Sequence, residues 1–231
     1  MSNYIYGKNS FKEALNSNRI TKAYVLKGSS FIDEIKRKHL EYEIVDKKML
    51  DKLSKNNNHQ GVVGEVNDYK LFSLNELIKK EKGLIVVLDG LKDPHNLGAI
   101  IRTCECAGVD GIIYKKHNSV KLSDTVAKVA SGALEYVKVC EVTNITNTLK
   151  ELKDKGYWVV GSDASAKIDY QDVDYNRNIV LVIGSEGEGI SRLVKEECDY
   201  ITSLPMKGKV NSLNASVAAG ILIYNIISSQ S

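Results

Sequence analysis

The sequence predicts an α/β protein with a parallel sheet, on three grounds. Leu84–Leu88 and Ile179–Ile183 are near-continuous apolar runs, the pattern of strands buried on both faces. Around them, strand-like and helical stretches alternate, an order that favours crossover helices and parallel pairing. The last apolar stretch, Val217–Ile227, is hydrophobic almost all the way round. Such a helix has no solvent face, so it packs inside its domain or against a second subunit.

The first elements alternate in the same way. Lys8–Asn16 has helical spacing, Ala23–Leu26 reads as a strand and Phe31–His39 as a second helix. Tyr42–Val45 is a further strand, Lys47–Ser54 a third helix and Gly61–Val66 a closing strand. Lys55–Gln60 is a polar loop that either binds a ligand or turns the chain. From 69 to 83 the pattern weakens to one amphipathic stretch (Leu74, Leu77, Ile78) that runs into Lys79-Lys80-Glu81-Lys82. The expected organisation is therefore a first domain over 1–68, a linker over 69–83 and a second domain over 84–231. In the second, Gly111–Tyr114, Tyr136–Cys140 and Tyr157–Val160 are further strands. Helices are expected near 96–108, 123–131, 144–155, 189–198 and 212–228.

Composition excludes several classes. With 231 residues, 43% of them hydrophobic and 26% charged, the chain matches an ordinary soluble protein. Its start has no basic and then apolar run, and Asn214, Ser216, Gly220 and Asn225 interrupt the final helix. Neither a signal peptide nor a membrane span is expected, so the protein is read as cytoplasmic. Four cysteines, two as Cys104-Glu105-Cys106, lack zinc-site spacing and read as reduced thiols with no metal. Residues 1–70 hold 13 Lys and Arg against 9 Asp and Glu, whereas the remainder is balanced. That bias suits a polyanion, and solubility would explain it equally well.

Three segments follow predicted strands, where open α/β sheets bind ligands. The first, Leu88-Asp89-Gly90-Leu91-Lys92-Asp93-Pro94-His95-Asn96, leads into a helix that bears Arg102. Asn96 reads as its N-cap, and His95 as a loop histidine. On the inner side of that helix Arg102 needs an anionic partner, and on the outer side it is a solvated charge. The second, Gly184-Ser185-Glu186-Gly187-Glu188-Gly189, lets backbone approach a ligand closely or turns sharply. It lacks the lysine of a phosphate loop and the spacing of a dinucleotide fingerprint, and Glu186 and Glu188 would repel a pyrophosphate. Its ligand is therefore expected to be a neutral or cationic nucleoside. The third runs from Leu204 to Ala218, with Ser212 and Asn214 opening the apolar helix and Lys207 and Lys209 in the loop before it.

In this order and spacing the three segments resemble the signature motifs of the SpoU (TrmH-like) branch of the SPOUT RNA methyltransferases, over residues 84–228. Residues 1–66, with Tyr4-Ile5-Tyr6-Gly7 and His59-Gln60-Gly61-Val62, resemble the L30e-like RNA-binding domain that precedes the catalytic one in bacterial 23S rRNA guanosine 2′-O-methyltransferases. The resemblance implies an S-adenosylmethionine pocket in a trefoil knot, a homodimer through the C-terminal domain and an RNA substrate, rRNA above all. It places Gly184, Ser185, Gly187, Leu204, Met206 and Leu213 at cofactor positions. Asn96, Arg102, Glu186, Ser212 and Asn214 fall at catalytic ones. The expectation is that Asn96 and Ser212 hold the Arg102 guanidinium, and that Glu186 orients backbone and Asn214. The motifs fit a tRNA 2′-O-methyltransferase or a resistance methyltransferase as well; a non-catalytic ribosome-assembly factor is the alternative outside the class.

Overall fold

The computed structural model describes residues 3–79 and 81–230; Lys80, within the expected linker, lies outside them. Its elements run β1 (Asn3–Tyr6), α1 (Lys8–Asn16), β2 (Ile20–Val25), α2 (Ile32–Arg37), β3 (Glu41–Ile44), α3 (Lys47–Leu53) and β4 (Val62–Val66). There follow β5 (Leu84–Asp89), α4 (Pro94–Ala107), β6 (Gly111–Lys115), α5 (Asp124–Ala130), β7 (Val139–Val142) and α6 (Ile145–Asp154). The chain closes with β8 (Trp158–Ser162), β9 (Ile168–Asp169), β10 (Ile179–Gly184), α7 (Arg192–Glu197), β11 (Tyr200–Ser203) and α8 (Ala215–Gln230).

Two compact units result, and the first is not continuous in sequence. It joins Met1–Tyr69 to Leu122–Tyr136, whereas the sequence places the 123–131 helix in the second domain. Its four-stranded sheet has the order β1-β4-β2-β3, antiparallel at β1/β4 and β2/β4 and parallel at β2/β3. Phe11, Ala14, Leu15, Val25, Ile35 and Val62 fill its core. The reason 122–136 belongs here is polar as well as steric. Glu135, nearly buried, takes the Arg19 guanidinium at 2.8 Å and the Ser17 hydroxyl at 2.7 Å. The Tyr136 hydroxyl donates to Glu13, and a Cβ at Gly132 would strike the Glu13 side chain. A buried ion pair of this kind is not visible as periodicity.

In the second unit, seven strands in the order β7-β6-β5-β10-β8-β11-β9 pair in parallel throughout. The fold class read from the sequence is therefore correct. β5 and β10 lie side by side at the centre, and Ile179–Gly184 is buried along its whole length. The expected linker is not a tether. Leu77 is 1% exposed within the core of this unit, and the Phe72 amide donates to the Val139 carbonyl at 2.9 Å. Its apolar positions were a packing face. Further differences are short strands: β9 and β11 are brief and partly polar, and β7 starts three residues later than the Tyr136–Cys140 run.

α8 is buried on one side only. Ala219, Leu222, Ile223 and Ile226 are buried, but Val217, Ile221 and Tyr224 are 49%, 39% and 50% exposed. Spaced four and three residues apart, those three form one exposed apolar stripe. Among the described residues no helix is long and apolar enough to cross a membrane.

Candidate active site at the carboxyl ends of the parallel strands

β5, β8, β10 and β11 release their chains at one end of the sheet, and there the three segments meet. A cavity of about 480 Å³ opens between the turn after β10, the stretch after β8 and the chain entering α8. All six residues expected at cofactor positions line it: Gly184, Ser185, Gly187, Leu204, Met206 and Leu213. Glu186, Ser212 and Asn214 line it too. Residues twenty or more positions apart thus share one wall because their strands end at the same level.

The turn after β10 is tight by necessity. Ser185 and Gly189 exchange both backbone hydrogen bonds, at 3.1 and 3.0 Å. Gly187 and Gly189 sit at φ 90° and 68°, conformations that L side chains rarely adopt. A Cβ on Gly184 would fall inside the backbone of Gly189 and Ile190. These glycines bring main chain, not side chains, to the cavity.

The catalytic positions divide. Asn96 is not the N-cap of α4: Asp93 is, accepting from the His95 amide at 2.9 Å, and Pro94 occupies the first turn. Asn96 sits a turn further in, 6% exposed, and its side-chain amide donates to the Glu186 carboxylate. That bond ties the first segment to the second. Asn214 does cap a helix; its Oδ1 accepts from the Ser216 amide at 2.9 Å and the Ser216 hydroxyl at 2.6 Å. Glu186 therefore orients Asn96 rather than Asn214. Ser212 is exposed at the cavity rim.

Arg102 is not brought in. Six residues beyond Asn96 on a 3.6-residue helix, it points about 240° round the axis and lies ~9 Å along it. It is exposed and makes no ion pair among the described residues, so neither Asn96 nor Ser212 holds its plane within one chain. α4 packs against α8, the helix with the exposed apolar stripe.

One lining carboxylate escaped the sequence reading. Asp163 follows β8, and its Oδ1 accepts from the Ser165 amide at 2.8 Å and hydroxyl at 2.7 Å while Lys195 pairs with Oδ2. The Lys195 hydrogen bond, with those from Ser165, lowers its pKa to about 2. Its place just past a strand end was the available signal; reading β8 as ending at Val160 hid it. Burial pushes the Cys104 thiol far above its usual range, which makes it an inert core side chain. No cluster of metal-binding side chains occurs among the described residues.

The sequence matches two family models: SpoU rRNA Methylase over residues 83–224, and RNA 2′-O ribose methyltransferase substrate binding over 4–72. The chain belongs to the SpoU rRNA methylase family. It is 45% identical over 237 residues to the TrmH-family tRNA/rRNA methyltransferase homologue YacO of Bacillus subtilis, covering 96% of this chain and 94% of that one. A Staphylococcus haemolyticus relative of the same description is 43% identical over 234 residues, with the same coverage. The SpoU methyltransferase AviRb of Streptomyces viridochromogenes, solved in complex with AdoMet, shares the fold at a TM-score of 0.85 and 24% identity, over 98% of this chain and 89% of that one. The A. aeolicus TrmH/SpoU tRNA modifying enzyme aligns with 67% of this chain and 78% of its own at 34% identity and a TM-score of 0.60. By family, then, this is an RNA methyltransferase.

Proposed function

We propose that the protein transfers a methyl group from S-adenosylmethionine to a ribose 2′-hydroxyl of RNA, and that its target is a guanosine of 23S rRNA in the cytoplasm. The observation that supports this most is the cavity itself, where three distant segments converge with Asn96 locked to Glu186. Its chemistry suits the donor. The cavity has the volume of a small-molecule site, is rimmed by Glu186 and Glu188, and offers glycine backbone instead of a phosphate loop. Gly184, Ser185 and Gly187 would hold the donor through main-chain groups, and Leu204, Met206 and Leu213 would form its apolar walls. When bound, S-adenosylmethionine supplies a methyl on a cationic sulfonium that leaves as a neutral thioether. In this reading the loop between β11 and α8 closes the pocket as part of a trefoil knot.

A ribose hydroxyl is a weak nucleophile at neutral pH and needs its developing negative charge stabilised. Arg102 is the group suited to that work, because a guanidinium stays protonated and its fork can span a phosphate and the 2′-oxygen together. Within one chain it lies away from the cavity, so the reading includes a homodimer. The stripe Val217, Ile221, Tyr224 on α8 buries against a second copy, and α4 beside it presents Arg102 to the other cavity. Asn96, Glu186, Ser212 and Asn214 then orient the target ribose within their own chain.

An rRNA target is favoured over tRNA because residues 4–72, matched to a substrate-binding family, precede the catalytic segment. Mapping 2′-O-methyl groups on total RNA from cells with and without the protein tests the whole reading. Loss of one 23S guanosine methyl is the expected result. Loss of a tRNA methyl instead would move the target, and an unchanged map would overturn the activity.

A further inference from the structure

The catalytic unit has its own basic edge beside the cavity. Register places Gly184 level with Asp89, and Leu88 level with Tyr114, so β10, β5 and β6 run out together. Adjacent strands stand ~4.8 Å apart, which puts Lys115 about 10 Å from Gly184 on the cavity floor. Two loops leave at this edge, 90–93 after β5 and 116–121 after β6. They are bonded to each other: the Val120 amide donates to the Leu91 carbonyl at 2.9 Å. The second loop is also pinned internally, with the Ser119 hydroxyl on the Lys115 carbonyl and Asn118 in the left-handed region at φ 60°.

What this fixed edge presents is cationic. Lys92, Lys116 and Lys121 are exposed, and Lys115 is half-buried. Among the described residues Lys92, Lys115 and Lys121 form no ion pair, and Lys116 only approaches Glu141 at 3.9 Å. The nearby carboxylates keep their negative charge but sit half-buried against the fold. Asp93 caps α4, Asp89 accepts from the Ser191 amide at 2.7 Å, and Glu141 accepts from the Tyr114 hydroxyl at 3.1 Å. Lysines that close no tight ion pair among the described residues, on a hydrogen-bonded scaffold, hold positive charge beside the site.

We propose that loops 90–93 and 116–121, with Lys115 at the end of β6, form a phosphate-binding strip by which the catalytic unit itself grips the RNA backbone flanking the target nucleotide. This rests on the reading of the chain as an RNA methyltransferase and adds a second RNA contact to the one assigned to residues 4–72. Contacts of this kind position RNA without reading its sequence. The test therefore needs no knowledge of the target.

Fluorescein-labelled single-stranded RNA is titrated with the full chain by anisotropy over a range of salt, with the K92Q/K116Q/K121Q variant alongside. Each lost phosphate contact should flatten the slope of log affinity against log salt by ~0.7, so the variant's slope should be shallower by about 2. Its low-salt affinity should fall at least tenfold, while its thermal unfolding and its S-adenosylmethionine binding stay at the level of the unaltered protein. A control, K138Q/K150Q/K155Q, removes the same charge away from this edge and should change the slope little. Equal losses in variant and control, or no loss in the variant, would overturn the strip. Because binding is read without methyl transfer, a negative here leaves the proposed activity standing, and an inactive enzyme leaves this result readable.

Discussion

The two ends of the seven-stranded sheet are built to opposite plans. At the amino end a set of polar groups closes on other parts of the unit. The Leu84 amide donates to Asp110 at 2.8 Å, the Gly83 amide to Asn178 at 2.7 Å, and the Val159 amide to Asp199 at 2.8 Å. Lys79 pairs with Asp110, its amide donates to the Tyr157 hydroxyl at 2.9 Å, and Lys82 reaches the Gln230 carbonyl at 2.8 Å. The Arg177 guanidinium lies over the Trp158 ring at 4.6 Å, and that ring stacks on Tyr200. At the carboxyl end the strands instead open onto a cavity, Ser212 stands exposed, and the chain from Pro205 to Leu213 has no regular structure. The same strands supply both ends, so the contrast separates what holds the fold from what the fold is for.

That division can be broken by experiment. The largest effect belongs to the open end: Arg102→Lys keeps the charge but loses the fork, and turnover should drop about 10²–10³-fold with cofactor binding and stability unchanged. Near-native turnover would remove Arg102 from the chemistry. At the core, Leu77→Ala should cost ~2–5 kcal/mol in denaturant unfolding, because this fully buried side chain packs under the sheet. The turnover of the molecules that remain folded should not change; a proportional loss would mean that the two ends are coupled. The smallest effect is an acid-side one. With its pKa lowered to about 2, Asp163 contributes stability that is present above the ordinary carboxylate range and lost as pH falls toward 2. Asp163→Asn should therefore lower stability near neutrality, flatten its decline between about pH 4 and 2, and differ least from the unaltered protein at the acid end.

The closed parts of the molecule were the legible ones. Apolar runs such as Leu84–Leu88 and Ile179–Ile183 are periodicity signals, and they gave the parallel sheet and its central strands. Gly184-Ser185-Glu186-Gly187 was legible because a glycine turn after a buried strand has few uses. Pairings between distant residues were not. Nothing local distinguishes Asn96 as a partner of Glu186 from Asn96 as a cap, and Asp93 was the better cap by geometry. Nor does local sequence reveal that Glu135 folds with Arg19 across more than a hundred residues. The uniform apolarity of α8 did report an unsatisfied surface, since one chain covers only half of it.

Whether the open end is a donor pocket is measured most directly by calorimetry with S-adenosylmethionine on the full chain and on Gly184→Ala. The unaltered protein should bind the donor, and the variant, whose methyl must displace the backbone of Gly189 and reshape the turn that lines the cavity, should release no heat of binding. Absence of binding by the unaltered, folded protein, or full binding by the variant, would contradict the account.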